Sequence, residues 1–186
     1  MNFQPLSLSG LYLIEPQVFG DERGFFMETY HQKLFQENGL NAIFAQDNHS
    51  RSTKNILRGL HLQLPPFSQT KLVRVTKGKV LDIVIDVRPA SSTFKKYEAV
   101  ELSEENKKML YIPQGFLHGF LTLSDQADFQ YKVDNYYNKG SELGVIWNDL
   151  TLALPWPIKN PIVSQKDSLL STFLEAQEQF KKFTSP

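Results

Sequence analysis

The 186-residue chain contains no cysteine. That absence removes disulfide frameworks, thiolate nucleophiles, iron–sulfur clusters and zinc–cysteine sites. Charge of one sign is also lacking: 20 Lys+Arg balance 20 Asp+Glu to a formal net charge of +0. Such a balance excludes a protein that coats nucleic acid or an anionic membrane surface. No apolar run approaches the ~20 residues of a membrane helix. The longest, VLDIVIDV at 80–87, is interrupted by Asp82 and Asp86. The opening MNFQPLSLSG has no basic stretch leading into an apolar one. No secretory signal is therefore expected, and the expected location is cytoplasmic. Neither the P-loop pattern nor G-x-G-x-x-G occurs, so a bound nucleotide would be held in another way.

What is present is a succession of short apolar strands. Hydrophobic residues make up 41% and charged residues 22%, which predicts one globular domain over 1–186. Segments 11–14, 24–30, 42–47, 56–63, 71–76, 79–86, 98–102, 109–112, 118–124, 129–133 and 145–148 are rich in Val, Ile, Leu, Phe and Tyr. Gly, Pro, Asn, Asp or Ser bounds each, the pattern of an all-β sandwich or barrel. Thr76, Lys77, Gly78 and Lys79 read as a hairpin turn, with Gly78 at positive φ. Helices are expected at 31–38, ended by Gly39, and at 167–183, with Ser164 as N-cap.

Four histidines are available: His31, His49, His61 and His118. In a strand over 57–63 (LRGLHLQ), His61, Gln63 and Gly59 share one face. Polar groups on an inward face need partners or a cavity. His118 lies in 113–120 (PQGFLHGF), between two glycines, where a buried structural histidine is equally consistent. Lys71 shares a face with Val73 and Val75, which puts it at a solvent end or makes it a buried electrostatic participant. Tyr131 shares a face with Phe129 and Val133, as a core tyrosine or a general acid would. Arg23 and Phe25 share a face, a pairing suited to phosphate and base, although a charged strand edge has the same pattern.

Taken together, 23–26 (RGFF), 46–50 (QDNHS), 57–63, 71–75 (KLVRV), 113–120, 131–132 (YK), 147–149 (WND) and 164–167 (SQKD) occur in one order. The set resembles the dTDP-4-dehydrorhamnose 3,5-epimerase family of deoxysugar epimerases, over roughly residues 10–167. The resemblance implies a mainly β, cupin-type jelly roll with short helices and a C-terminal helix. It implies a homodimer working without metal or organic cofactor. The implied substrate is dTDP-4-dehydro-6-deoxy-D-glucose and the product dTDP-4-dehydro-L-rhamnose, with neither nucleic acid nor membrane as partner. By motif position, His61 resembles the general base, Asp167 the carboxylate that orients it, Lys71 the cation at the C4 carbonyl, and Tyr131 the acid on the opposite face. His118, Arg23, Glu28, Gln46, Asp47, Asn48, Arg58, Glu142 and Lys166 match nucleotide-sugar contacts, and Tyr137 matches the aromatic on thymine.

The chemistry asks for the same residue types. A C4 ketone acidifies C3–H and C5–H, and an imidazole titrates where such a base must work. The enolate needs a preorganised donor or cation. Inversion needs a second proton donor across the ring, and a phenol is a donor at neutral pH. Three other readings stay open. Relatives acting at C3 or C5 alone would use the same residues. A metal-dependent cupin would want a histidine where Gln63 stands. A non-catalytic sugar-nucleotide binder would not need His61, Lys71 and Tyr131 together.

Overall fold

The computed structural model describes residues 1–183. The chain runs β1 (Asn2–Pro5), β2 (Tyr12–Glu15), β3 (Val18–Asp21), β4 (Gly24–Met27), α1 (Gln32–Glu37), β5 (Gln46–Thr53), β6 (Leu57–Gln63) and β7 (Lys71–Lys77). It continues through β8 (Lys79–Asp86), β9 (Tyr97–Ser103), β10 (Met109–Ile112), β11 (Phe116–Thr122), β12 (Gln126–Val133), β13 (Glu142–Gly144), α2 (Gln165–Ser168) and α3 (Phe173–Phe180). Two antiparallel sheets result, ordered β1-β2-β10-β7-β12-β5 and β13-β6-β11-β8-β9. The β3–β4 hairpin stands apart from both. This is the mainly β, cupin-type sandwich that the strand pattern and the resemblance predict. Among the described residues, no helix is long and apolar enough to cross a membrane.

Strand alternation decides which side chains meet between the sheets. Val73 and Val75 of β7 and Phe129 of β12 pack against Val80 and Val84 of β8 and Phe116 and Phe120 of β11. Phe120 and Phe129 stack at 4.1 Å between ring centroids. The outer face of the five-stranded sheet carries Leu60, Leu62, Ile83, Ile85 and Leu117 and is covered by Phe173, Ala176 and Phe180 of α3. Phe35 of α1 seals the other outer face over Ile14, Leu72 and Met109. Burial of these side chains, at ~25 cal/mol per Å² of apolar surface, is the main force holding the two sheets together.

Three sequence expectations are corrected. Residues 76–79 do not form a hairpin, because β7 pairs with β10 and β12 while β8 pairs with β9 and β11. The turn is a corner carrying the chain from one sheet to the other. Gly78 does adopt φ +72°, and a Cβ there would fall 2.0 Å from the Gln126 carbonyl oxygen. The expected helix over 167–183 is two pieces, because Ser171 leaves the helix to bridge Val145. Ser164 does cap α2, whereas α3 starts afresh at Thr172 with a capping box to Glu175. The strand expected at 42–47 lies at 46–53 instead, since those alternating polar residues form an edge strand paired only to β12.

Candidate active site

The inner face of the sandwich changes character along its strands. Beyond the apolar layer, β6 presents His61, β11 His118, β7 Lys71 and β12 Tyr131. These four line one cleft of about 520 Å³, together with Ser50, Arg58, Ser164, Lys166 and Asp167. His61 and His118 come from the five-stranded sheet, Lys71 and Tyr131 from the six-stranded sheet facing it.

His61 and His118 are direct register partners on β6 and β11. Their approach depends on glycine. Gly59 has φ +124°, and a Cβ on it would come within 2.6 Å of the Gly119 Cα. A Cβ on Gly119 would meet the Arg58 carbonyl oxygen at 2.7 Å. Any side chain at either position would push the two strands apart and separate the imidazoles.

Asp167 reaches His61 across 106 residues of sequence because both flanks of its segment are pinned. Ile162 accepts from Leu57 N–H at 2.9 Å, and Ser171 accepts from Ile146 N–H at 2.9 Å. Between these anchors the Ser164 hydroxyl accepts from Asp167 N–H at 3.0 Å and starts the turn of α2. Asp167 Oδ1 then lies 2.7 Å from His61 Nε2, and Gly59 N–H points at Oδ2 from 3.4 Å. Burial raises the Asp167 carboxyl, but the His61 hydrogen bond and charge, with the Gly59 and Ser164 contacts, outweigh it and hold it below its ordinary value. An ionised Asp167 can only accept, so His61 donates to it from Nε2, and in the neutral imidazole the lone pair lies on Nδ1.

Lys71 is partly buried, and desolvation in the cleft wall lowers its ammonium to about 8, against the upward pull of Asp82 and Glu142. Of the two positions the sequence leaves open for this lysine, the structure realises one between them, partly buried with the side chain in the cleft wall. Burial raises the Tyr131 phenol, so it stays a proton donor throughout the neutral range. His118 is buried, with Nε2 2.9 Å from Asp82 Oδ2.

Glu142, which like Tyr137 is not among the cleft-lining residues, joins two further side chains and connects to the cleft through Lys166. Its Oε1 accepts from Lys166 Nζ at 2.5 Å and its Oε2 from Tyr137 Oη at 2.8 Å. Burial works against the Glu142 carboxylate, and these two hydrogen bonds outweigh it. Gln63, the residue that bears on the metal-cupin alternative, is buried with its oxygen accepting from Asn138 N–H at 2.9 Å. Among the described residues, no group of three or more His, Cys, Asp or Glu is placed to hold a metal ion.

The remaining sequence candidates divide. Arg58 lines the cleft and is fixed by Ser52 Oγ at 2.9 Å. Gln46 and Asn48 lie on the same side of β5 as Ser50 and bond each other at 2.8 Å. Asp47 alternates to the outer face, where Lys132 Nζ holds it at 2.8 Å. Glu28 is exposed just after β4. Arg23 sits in the β3–β4 turn, bonded to Asp21, and does not line the cleft. The residue that sequence reasoning missed is Asp82. Its signal was a carboxylate in an otherwise apolar strand, which marks a position that must be paired.

Residues 5–175 match the model of the dTDP-4-dehydrorhamnose 3,5-epimerase family. The chain belongs to this family. It is 50% identical over 177 residues to the dTDP-4-dehydrorhamnose 3,5-epimerase of Shigella flexneri, covering 95% of this chain and 98% of that one. The crystal structure of the corresponding enzyme from Elizabethkingia anophelis superposes with a TM-score of 0.91 at 47% identity, over 95% of this chain and 98% of that one. A dTDP-6-deoxy-D-glucose-3,5-epimerase from Legionella pneumophila, solved with dTDP-4-keto-L-rhamnose, gives a TM-score of 0.92 at 41% identity, over 96% of each chain. Family membership makes the chain an isomerase of dTDP-sugars. It also gives the cleft between the sheets its relevance, since His61, Lys71, His118, Tyr131, Arg58, Lys166 and Asp167 converge there.

Proposed function

We propose that this protein converts dTDP-4-dehydro-6-deoxy-D-glucose to dTDP-4-dehydro-L-rhamnose by inverting C3 and C5. The observation that carries this is the opposition of base and acid. The His61–Asp167 pair belongs to one sheet wall and Tyr131 to the other, with Lys71 beside Tyr131. A sugar ring between the walls has a proton acceptor on one face and a donor on the other.

Each inversion then has two steps. His61 Nδ1 takes the proton from the carbon next to the C4 ketone, and the C–H electron pair moves into an enolate. Asp167 stabilises the imidazolium so formed and fixes its orientation, as the carboxylate of a catalytic triad does. Lys71 meets the charge on the C4 oxygen, a contribution of about 3–4 kcal/mol for one such preorganised group. Tyr131 Oη delivers a proton to the opposite face of the carbon; His61 then releases its proton to solvent and the Tyr131 phenolate takes one up, which resets the pair for the second carbon. Arg58 and Lys166 supply positive charge for the diphosphate, and Tyr137, held by Glu142, offers a ring to thymine.

The exposed hairpin supports a homodimer. Phe25 and Phe26 of β4 are 61% and 65% exposed beside Arg23, a cluster that a second copy would cover. An Arg23 that contacts nucleotide would do so in that second copy's cleft. Substituting His61→Asn tests the assignment of the base. Retained dTDP affinity with lost proton exchange at C3 and C5 is the expected result. Undiminished epimerisation would refute it.

A further inference from the structure

Two histidine–carboxylate pairs lie side by side on the five-stranded wall of the site, and only one is accounted for by the mechanism above. Asp82 lies on β8 at 0% exposure, between the core residues Val80 and Val84. It is not part of the cleft wall, so it does not touch a bound sugar. An unpaired carboxylate here would be strongly unfavourable. Both of its oxygens reach His118 Nε2, at 2.9 and 3.1 Å. From the opposite sheet, Lys71 feels the same carboxylate.

We propose that Asp82 is a positioning residue for the enolate-binding end of the site. It holds His118 with Nε2–H turned inward, leaving Nδ1 as an acceptor for the cleft, and it is the buried counter-charge that keeps Lys71 an ammonium. This rests on the role of Lys71 given above.

The groups around Lys71 support the assignment. Asp82 of β8 is the strongest influence keeping its charge, followed by Glu142 of β13. Glu142 is already committed to Lys166 and Tyr137. His118 of β11 faces Lys71 as well, and burial above all holds its imidazole low, so it remains neutral and adds no repulsion. His61 of β6, Tyr131 of β12, Arg58, Lys166 and Asp167 complete the ionisable lining. A carboxylate free in the cleft beside Lys71, unlike Asp167 held on His61, would repel both the enolate and the diphosphate. Set behind His118, it supports the cation without meeting the substrate.

Asp82→Asn keeps the side-chain shape and an oxygen for His118 but removes the charge. The ammonium should then titrate at lower pH, and the alkaline limb of kcat should move down with it. The loss relative to the unmodified enzyme should be about tenfold greater at pH 8.5 than at pH 6.5, which corresponds to about one pH unit. dTDP affinity should stay within about twofold, since Asp82 lies outside the wall. An equal loss at every pH would mark a merely structural residue and overturn the proposal.

Two measurements need no activity. Carbon-13 labelling at lysine Cε should show Lys71 titrating lower in Asp82→Asn, and an unmoved titration overturns the counter-charge. Should the variant not fold, nitrogen-15 histidine spectra of the unmodified protein decide. His118 must be the Nε2–H tautomer between about pH 6 and 8, and the Nδ1–H tautomer or an imidazolium overturns the proposal. If the unmodified protein exchanges no protons at C3 or C5, the proposed function fails instead, while the Lys71 titration and His118 tautomer still decide the role of Asp82.

Discussion

Lys71→Met should make the protein more stable and nearly inactive, and the size of both effects follows from where the ammonium sits. Burial takes its pKa from 10.5 to about 8. That displacement corresponds to about 3 kcal/mol by which the folded state disfavours the charge. Methionine keeps a flexible apolar stem beside Val73 and needs no solvation. The pull of Asp82 and Glu142 is already contained in that value, and water in the cleft screens part of the remaining cost. A net stabilisation of about 2 kcal/mol at pH 7 is expected, a rise in Tm of roughly 4–8 °C for a chain of this size. The sign with pH is determined. Below pH 8 the lysine is charged in both folded and unfolded chains and its cost is complete. Between 8 and 10.5 the folded protein sheds the proton before the unfolded chain does, so the cost fades. The advantage of Lys71→Met should therefore shrink above pH 8 and vanish near 10.5, read by thermal unfolding across pH. Activity should fall by about 10²–10³ with loss of the enolate's cation. A variant no more stable at pH 7, or a gain independent of pH, would show that Lys71 is fully hydrated and refute the reasoning.

Further outcomes follow from other parts of the molecule. Tyr131→Phe should lower net epimerisation by about 10²–10⁴ while the substrate still exchanges hydrogen with retained configuration, because His61 remains to remove and return the proton from one face. Proton NMR in D₂O reads both, and unimpaired inversion would exclude the phenol as the acid. Asp86 is fully buried; burial raises its carboxyl, and hydrogen bonds from Arg88, Ser91 and Thr93 outweigh this and lower it. Its contribution to stability is complete above the ordinary carboxylate pKa near 4 and is lost as pH falls through the lower folded value. Asp86→Asn should cost about 3–5 kcal/mol at pH 7 by leaving Arg88 without its partner, and denaturant melts at pH 7 and pH 3 should show the difference narrowing in acid. Phe25→Asp with Phe26→Asp should convert a dimer to a monomer in sedimentation, and an unchanged sedimentation coefficient would move the interface elsewhere.

Much of the sandwich was legible because short apolar strands bounded by turn residues have few other places to go. The shared face of Lys71, Val73 and Val75, and that of Phe129, Tyr131 and Val133, followed from strand periodicity alone. Pairing was less legible than periodicity. Gly78 was read with the right backbone but the wrong partners, because a tight corner between sheets uses the same positive φ as a hairpin. The break at Ser171 was hidden for a related reason: the apolar spacing of 169–180 is continuous, and only the long-range bridge to Val145 interrupts the helix. The polar alternation of β5 carries no hydrophobic signal, since it is an edge strand. Within the site, the residue types were readable and their partners were not. Resemblance paired Asp167 with His61; no local spacing could have done so. Asp82 looked like an interruption of an apolar run, although a buried strand that keeps a carboxylate is the one place where a partner is obligatory.

The central claim is that one cleft removes and replaces protons on two carbons flanking a ketone. Incubation of the protein with dTDP-4-dehydro-6-deoxy-D-glucose in D₂O, followed by NMR of the sugar, tests it most directly. The account predicts deuterium at both C3 and C5 with the L-rhamno configuration. Label at a single carbon would contradict the double inversion, and no label at either would contradict the account as a whole.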